Sequence, residues 1–309
     1  LLFCLQPLRF SFVARESIYF PTGKSGNILR GAFGAIFRRI ACVPQCQDVR
    51  SCLRASCPYA HMFEPSSLAN GPSGLADWPR PFVFRATHLD GCTLAFGASF
   101  HFDLNLFDTR TPAIAYLVLA FAQLAHEGLG PGRRKVELVS VYQLDEAAQP
   151  SALIYDSAAA TVRQNAPLQQ LDLDSHGGPV QKVRVEFLTP TELKSGQNVA
   201  SKPEFGILAA RIRDRISTLR QLYGAGPLDI DFRAFGERAN RIRMIRCDIR
   251  QVDVRRQSSR TGQIHSIGGF VGEAEYEGDL TEFVPYLNVG RFTGVGRQTV
   301  WGKGEIGIT

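Results

Sequence analysis

Eight arginines, Arg238, Arg241, Arg243, Arg246, Arg250, Arg255, Arg256 and Arg260, follow one another closely, and only Asp248 and Asp253 oppose them inside that span. Guanidinium groups grip phosphate oxygens in a planar, bidentate way, so this spacing points to binding of a polyanion; a solvated charged face is the alternative. The C-terminal tract adds glycine to charge: Gly268-Gly-Phe-Val-Gly272, Gly290-Arg-Phe-Thr-Gly-Val-Gly296 and Gly302-Lys-Gly304 are interspersed with Arg291, Arg297 and Lys303. Glycine lets backbone amides approach a phosphate closely, while a purely structural set of turns would use the same residues.

Four cysteines, Cys42, Cys46, Cys52 and Cys57, fall in one short stretch and offer four thiolates to a structural zinc, although their spacing is not that of a CxxC knuckle. Buried or vestigial thiols are the other reading. Cys4, Cys92 and Cys247 read as small core residues. Among the histidines, His61 directly follows Cys57-Pro-Tyr-Ala, and His265 stands beside the arginines and the glycine tract; both are candidates for proton transfer or phosphate contact. His101 and His126 read as structural, and His88 and His176 sit in polar turns. Two nucleotide-binding patterns fail. Gly23-Lys24-Ser25 lacks the first glycine of a P-loop, where Ile18 stands, and Gly302-x-Gly304-x-x-Gly307 has no helix to follow it.

The elements that must carry these residues repeat one plan. Residues 8–20 read as a strand, 25–40 as an amphipathic helix, 82–85 and 93–107 as strands, 113–127 as a helix and 135–144 as a strand. That order, strand–helix–strand–strand–helix–strand, is the ferredoxin-like plan. It begins again after a polar stretch at 164–179, with a strand at 180–188, a helix at 204–223, an extra helix between Phe232 and Met244, strands at 245–255 and 268–277, a helix at 280–289 and a strand at 299–308. The junction peptides Pro21-Thr-Gly-Lys-Ser-Gly26 and Pro190-Thr-Glu-Leu-Lys-Ser-Gly196 fit a duplication. The expected fold is therefore α+β: two tandem ferredoxin-like (RRM-like) domains, 1–165 with a Cys-rich insertion at about 41–80, and 180–309 with the glycine-rich loop.

With 309 residues, 44% hydrophobic and 21% charged, the chain has room for two ordinary cores and excludes disordered and fibrous classes. The net charge of +6, mostly arginine, agrees with an anionic partner. Gln6, Pro7 and Arg9 interrupt the apolar opening before a signal peptide or membrane span is complete, and an odd count of 7 cysteines argues against a disulfide framework, so no membrane contact and a cytoplasmic location are expected. The missing initiator Met leads us to expect a short preceding piece.

Leu29-Arg-Gly-Ala-Phe-Gly34, Cys57-Pro-Tyr-Ala-His-Met-Phe-Glu64 and the closing tract from Gly268 to Gly304 resemble the CRISPR-associated RAMP endoribonucleases of the Cas6 type, over essentially the whole chain. The resemblance implies binding of CRISPR repeat RNA and cleavage of precursor crRNA without metal: the 2′-hydroxyl attacks the adjacent phosphate and leaves a 2′,3′-cyclic phosphate and a 5′-hydroxyl. It places a Tyr near the end of the first strand, matched by Tyr19, and a Lys nearby, matched by Lys24. Its His in or near the first helix has no counterpart in residues 25–40, and His61 stands in as the general base. Arg255, Arg256, Arg260, His265, Arg291, Arg297 and Lys303 are the expected RNA contacts. Two rival readings are a catalytically inactive RAMP subunit that holds crRNA in an effector complex, and a zinc-stabilised adaptor that meets other Cas proteins.

Overall fold

The computed structural model describes residues 1–42, 46, 57–67, 78–108, 114–163, 167–174, 177–257 and 264–309. It divides into two compact units, Cys4–Gln169 and Leu1–Phe3 with Gln170–Thr309.

In the first unit, β1 (Leu2–Ala14) lies between β5 (Ser99–Leu106) and β6 (Val136–Leu144), with β3 (Phe82–Arg85) beyond β5 and β7 (Pro150–Asp156) and β8 (Thr161–Val162) beyond β6. The order β3-β5-β1-β6 is the ferredoxin-like arrangement, antiparallel throughout. Alternation along β1 sends Phe10 and Phe12 to one face, where α1 (Ser25–Ala41) and α3 (Ile114–Glu127) cover them. Leu29, Phe33, Ile36 and Phe37 form the buried stripe of α1. The rings of Phe33 and Phe121 stack at 4.8 Å and Phe10 meets Phe121 at 4.5 Å; each fully buried Phe contributes roughly 1.5–3 kcal/mol.

The first strand starts earlier than expected and stops at Ala14, and the next residues to pair are Ile18–Tyr19 (β2), against Thr93–Leu94 (β4). The strand expected over 93–107 is likewise two strands, because Gly97 turns the chain at φ +81 between them. A short helix, α2 (Pro58–Phe63), packs on α1; β7 and β8 were not foreseen.

In the second unit, which also holds β9 (Gln169–Asp172) apart from its first residue, the order β13 (Arg243–Val252)-β16 (Gly269–Glu277)-β10 (Lys182–Thr191)-β17 (Ile306–Ile308) repeats the arrangement. Helices α4 (Phe205–Tyr223) and α6 (Val284–Thr293) supply the helical layer, and α5 (Phe232–Ala239) packs on α4. Val185, Phe187, Ala274 and Tyr276 are buried, and the Tyr276 hydroxyl donates to the Pro203 carbonyl at 2.6 Å. The closing strand is only three residues long, since Gln298 (φ 65) and Gly302 (φ 77) hold residues 299–301 in a tight turn. The last helix starts at Val284 and not at 280, with Pro285 in its first turn, where a missing N–H costs nothing. The two junction peptides are not equivalent: Lys24-Ser25-Gly26 opens α1, whereas Lys194–Ser195 (β11) pairs with Asn198–Val199 (β12) in a hairpin turned by Gly196, and α4 begins later. Topology, and not that peptide, carries the duplication.

Candidate functional site

Tyr19 and Lys24 flank one corner of the first unit. Helix α1 has no capping side chain of its own, so its first amide, from Ser25, donates to Asp90 Oδ1 at 3.0 Å, and Ser25 Oγ donates to the Ala86 carbonyl at 2.8 Å. The same turn braces the preceding segment: Gly91 N donates to the Phe20 carbonyl at 2.7 Å and Phe20 N to the Cys92 carbonyl at 3.0 Å. Tyr19, opposite Thr93, is 48% exposed, and Lys24 is exposed. The corner thus offers a phenol and an ammonium to solvent on a rigid backbone.

His61 is not brought there. Helix α2 seats against the far half of α1, with the Phe63 ring on Gly34 and the Arg38 guanidinium 5.8 Å from the Tyr59 ring centre. At the helical rise, Gly34 lies about 15 Å along the axis from Lys24. The structure instead joins two histidines that sequence reasoning set aside. The rings of His88 and His101 stack at 4.5 Å, and His88 Nε2 lies 2.9 Å from the His101 carbonyl. A carbonyl only accepts, so Nε2 of His88 is the donor in this contact and Nδ1 is the nitrogen left for other partners. His88 stands two residues before Asp90, on the turn that caps α1. Burial, then the charge of Arg9 and then His88 push the His101 pKa down, against Asp103. Only strand pairing could have revealed this pair, which spans a hairpin.

The arginine-rich span is not a free basic surface, and the lack of opposing carboxylates expected there is corrected by strand register. β16 runs beside β13 and sets Glu277, Glu275 and Glu273 opposite Arg243, Arg246 and Asp248. Arg243 meets Glu277 at 2.5 Å, Arg246 meets Glu273 and Glu275 at 3.5 Å each, and Arg184 of β10 meets Glu273 at 2.5 Å. Arg238 is held bidentately by Glu282 at 2.6 and 2.9 Å. Arg246 and Arg250 do share a face, and Arg250 forms no ion pair among the described residues.

Beyond β13 the chain continues as a separate hairpin, β14 (Arg255–Gln257) with β15 (Ile264–Ser266), which pairs Arg255 with Ser266 and Arg256 with His265. Arg260 lies outside the described residues. Gln298 Nε2 donates to the Ser266 carbonyl at 3.0 Å, so the glycine-rich loop touches the hairpin and the expected RNA contacts Arg255, Arg256, His265 and Arg297 fall in one neighbourhood. Arg255 is paired with Asp253 at 3.2 Å and Arg297 with Glu192 at 2.7 Å. Arg291 is exposed in the last turn of α6, whereas Lys303 is only 3% exposed. Two of the glycines serve the chain's own packing: a Cβ on Gly304 would lie 1.9 Å from the Val295 carbonyl oxygen, and one on Gly296 2.3 Å from that of Glu192.

Cys42 ends α1 and Cys57 precedes α2. The Cys42 thiol shares a hydrogen bond with Cys46, and burial, Cys57 and Cys46 push its pKa up to about 11. Cys52 lies outside the described residues, among which no group of three His, Cys, Asp or Glu could hold a metal ion.

A family model described as the CRISPR-associated endoribonuclease Cas6 matches residues 185–306, and one described as an N-terminal domain matches residues 3–167. The second half of the chain thus carries a Cas6 family domain. Solved Cas6 structures share the fold along its full length. A Cas6 product complex is 17% identical over 99% of this chain and 100% of that one, with a TM-score of 0.57. Thermus thermophilus Cas6 is 16% identical over 99% and 98%, with a TM-score of 0.53. A partial Cas6-RT-Cas1–Cas2 complex is 11% identical over 99% of this chain and 46% of that chain, with a TM-score of 0.57. No curated protein matches by sequence. The chain therefore has two ferredoxin-like domains, the second matched by the model of the CRISPR-associated endoribonuclease Cas6, and no helix among its described residues is long and apolar enough to cross a membrane.

Proposed function

We propose that the chain cuts the repeat RNA of a precursor CRISPR transcript by attack of a 2′-hydroxyl on the adjacent phosphate. The Cas6 match over residues 185–306 carries this reading, joined to the exposed pair Tyr19 and Lys24 at the start of α1. The 2′-oxygen forms a bond to phosphorus as the bond to the 5′-oxygen breaks, which leaves a 2′,3′-cyclic phosphate and a 5′-hydroxyl. A base removes the 2′ proton, an acid protonates the 5′-oxygen, and a cation offsets charge on the phosphorane. Lys24 supplies the charge and the Tyr19 hydroxyl a hydrogen bond at the phosphate. His88, whose Nε2 is engaged by the His101 carbonyl and whose turn is bonded to both Phe20 and Ser25, takes through Nδ1 the role of base that sequence reasoning assigned to His61. Tyr19 also gives its hydroxyl proton to the leaving 5′-oxygen, so the proposed reaction draws its base, acid and cation from side chains and needs no metal.

RNA binding is assigned to Arg255, Arg256 and His265 of the hairpin, with Arg260, Arg291 and Arg297; Arg255 and Arg297 exchange Asp253 and Glu192 for phosphates. Lys303 drops out of that set because it is buried. Assembly with other Cas proteins, as in the Cas6-RT-Cas1–Cas2 complex, and a cytoplasmic location belong to the same proposal. A structural zinc held by Cys42, Cys46, Cys52 and Cys57 also belongs to the proposal; about one equivalent in chelator-free protein supports it, and less than about half an equivalent rejects it.

The test is single-turnover cleavage of labelled repeat RNA. Tyr19→Phe, Lys24→Ala and His88→Ala each slow cleavage about a hundredfold or more with RNA affinity retained, while His61→Ala cleaves like the wild type. Loss of cleavage in His61→Ala alone would reverse the assignment of the base. Tight RNA binding with no cleavage by the wild type would favour an inactive crRNA-holding subunit.

A further inference from the structure

The segment from Arg15 to Tyr19 runs between two loops that present a second kind of chemistry. On one side, β2 pairs with β4 and the chain then turns at Gly97, leaving Phe96 71% exposed at the tip. Phe96 is three residues past Thr93, the partner of Tyr19, so both exposed rings are carried by the short β2–β4 ladder and the turn that follows it. On the other side, the turn after α3 closes through Leu129 N to the Arg134 carbonyl at 2.8 Å and Arg134 N to the Leu129 carbonyl at 3.0 Å. It abuts β2, since a Cβ on Gly130 would lie 3.4 Å from the Ile18 side chain and 3.8 Å from the Tyr19 carbonyl oxygen.

That turn carries Arg133 and Arg134, both exposed, and neither forms an ion pair among the described residues. Glu127, which feels the charge of Arg133, is already bonded by Arg39. Arg133 is held at φ 48, a left-handed conformation that disfavours a side chain. The turn therefore fixes an arginine where glycine would be easier.

We propose that Tyr19, Phe96, Arg133 and Arg134 form a platform for a single-stranded RNA segment, the rings stacking on unpaired bases and the guanidinium groups holding the phosphates between them. Rings standing off the surface stack on splayed bases and not on a closed duplex, and the sequence tolerance follows because every base has a π-face. The inference rests on the reading of the chain as an RNA-processing protein and adds the part of the substrate this corner takes.

The test is binding of a fluorescein-labelled twelve-nucleotide oligouridine, with a blunt RNA duplex of the same length as competitor. The wild type binds the single strand in preference to the duplex. Phe96→Ala weakens binding at least about fivefold and Phe96→Trp restores it; because the ring is so exposed, this substitution leaves the core intact. Arg133→Ala/Arg134→Ala reduces the slope of log affinity against log salt by about 1.4, for two lost phosphates. Equal oligouridine binding by wild type and variants, or preference for the duplex, overturns the platform and leaves a protein partner as the occupant. Intact, variant-sensitive oligouridine binding by a protein that cleaves no repeat RNA overturns the nuclease reading alone.

Discussion

Two arginine-bearing regions of this chain look alike in composition and differ in physics. In the second unit, β13 carries Arg243 and Arg246 on a strand, and its neighbour β16 places Glu273, Glu275 and Glu277 against them. In the first unit, Arg133 and Arg134 ride a tight turn and form no ion pair among the described residues. Cross-strand pairs of opposite charge stabilise a sheet by a few tenths of a kcal/mol to about 1 kcal/mol each and in doing so consume the charge. An arginine on a turn stays available to a phosphate. The lesson is that a count of arginines along the chain says less about nucleic-acid binding than the identity of the residue across the strand.

The largest effect expected from this contrast is a difference between two double variants. Arg133→Ala/Arg134→Ala lowers affinity for repeat RNA by about tenfold and flattens its salt dependence, whereas Arg243→Ala/Arg246→Ala leaves affinity within about twofold and lowers Tm slightly, as exposed ion pairs do. Fluorescence anisotropy over a salt series reads both; equal losses would erase the distinction between the regions. A smaller effect sharpens it. Glu273→Gln/Glu275→Gln leaves Arg184 with Glu186 alone at 3.4 Å and Arg246 with Asp248 alone at 3.9 Å, so non-specific RNA affinity rises by a few-fold and the salt slope steepens. No change would mean that the sheet face is shielded by something other than its carboxylates.

The smallest effect concerns pH. His101 has a folded pKa below the ordinary 6.5, so the unfolded chain binds the proton more readily. Its contribution to stability is complete above the unfolded pKa and is lost as pH falls from there toward the folded value. Tm should therefore drop between pH 7 and pH 5 by more in the wild type than in His101→Gln, by roughly a degree or two; parallel curves would show that the stacked pair does not titrate this way.

Much of the frame was legible from local pattern. The stripe Leu29, Phe33, Ile36 and Phe37 fixed α1 nearly to its last residue, and Phe82–Arg85 was placed to the residue, because burial on one face dictates period and length. The break after Ala14 and the split at Gly97 were hidden, since a turn within an otherwise strand-like run leaves the alternation almost unchanged. The site was less legible for a physical reason. Glu273 stands 27 positions after Arg246, and His101 stands 13 after His88; only register brings such residues together. His61 illustrates the converse, for closeness in sequence to α1 placed it at the wrong half of the helix.

The measurement that tests the central claim most directly is incubation of the protein with end-labelled repeat RNA in excess EDTA, beside the same RNA carrying a 2′-deoxy substitution at the mapped cut. The account predicts cleavage of the first to a 2′,3′-cyclic phosphate and none of the second. Cleavage of the deoxy substrate, or cleavage of the all-ribose substrate that EDTA abolishes, would contradict it.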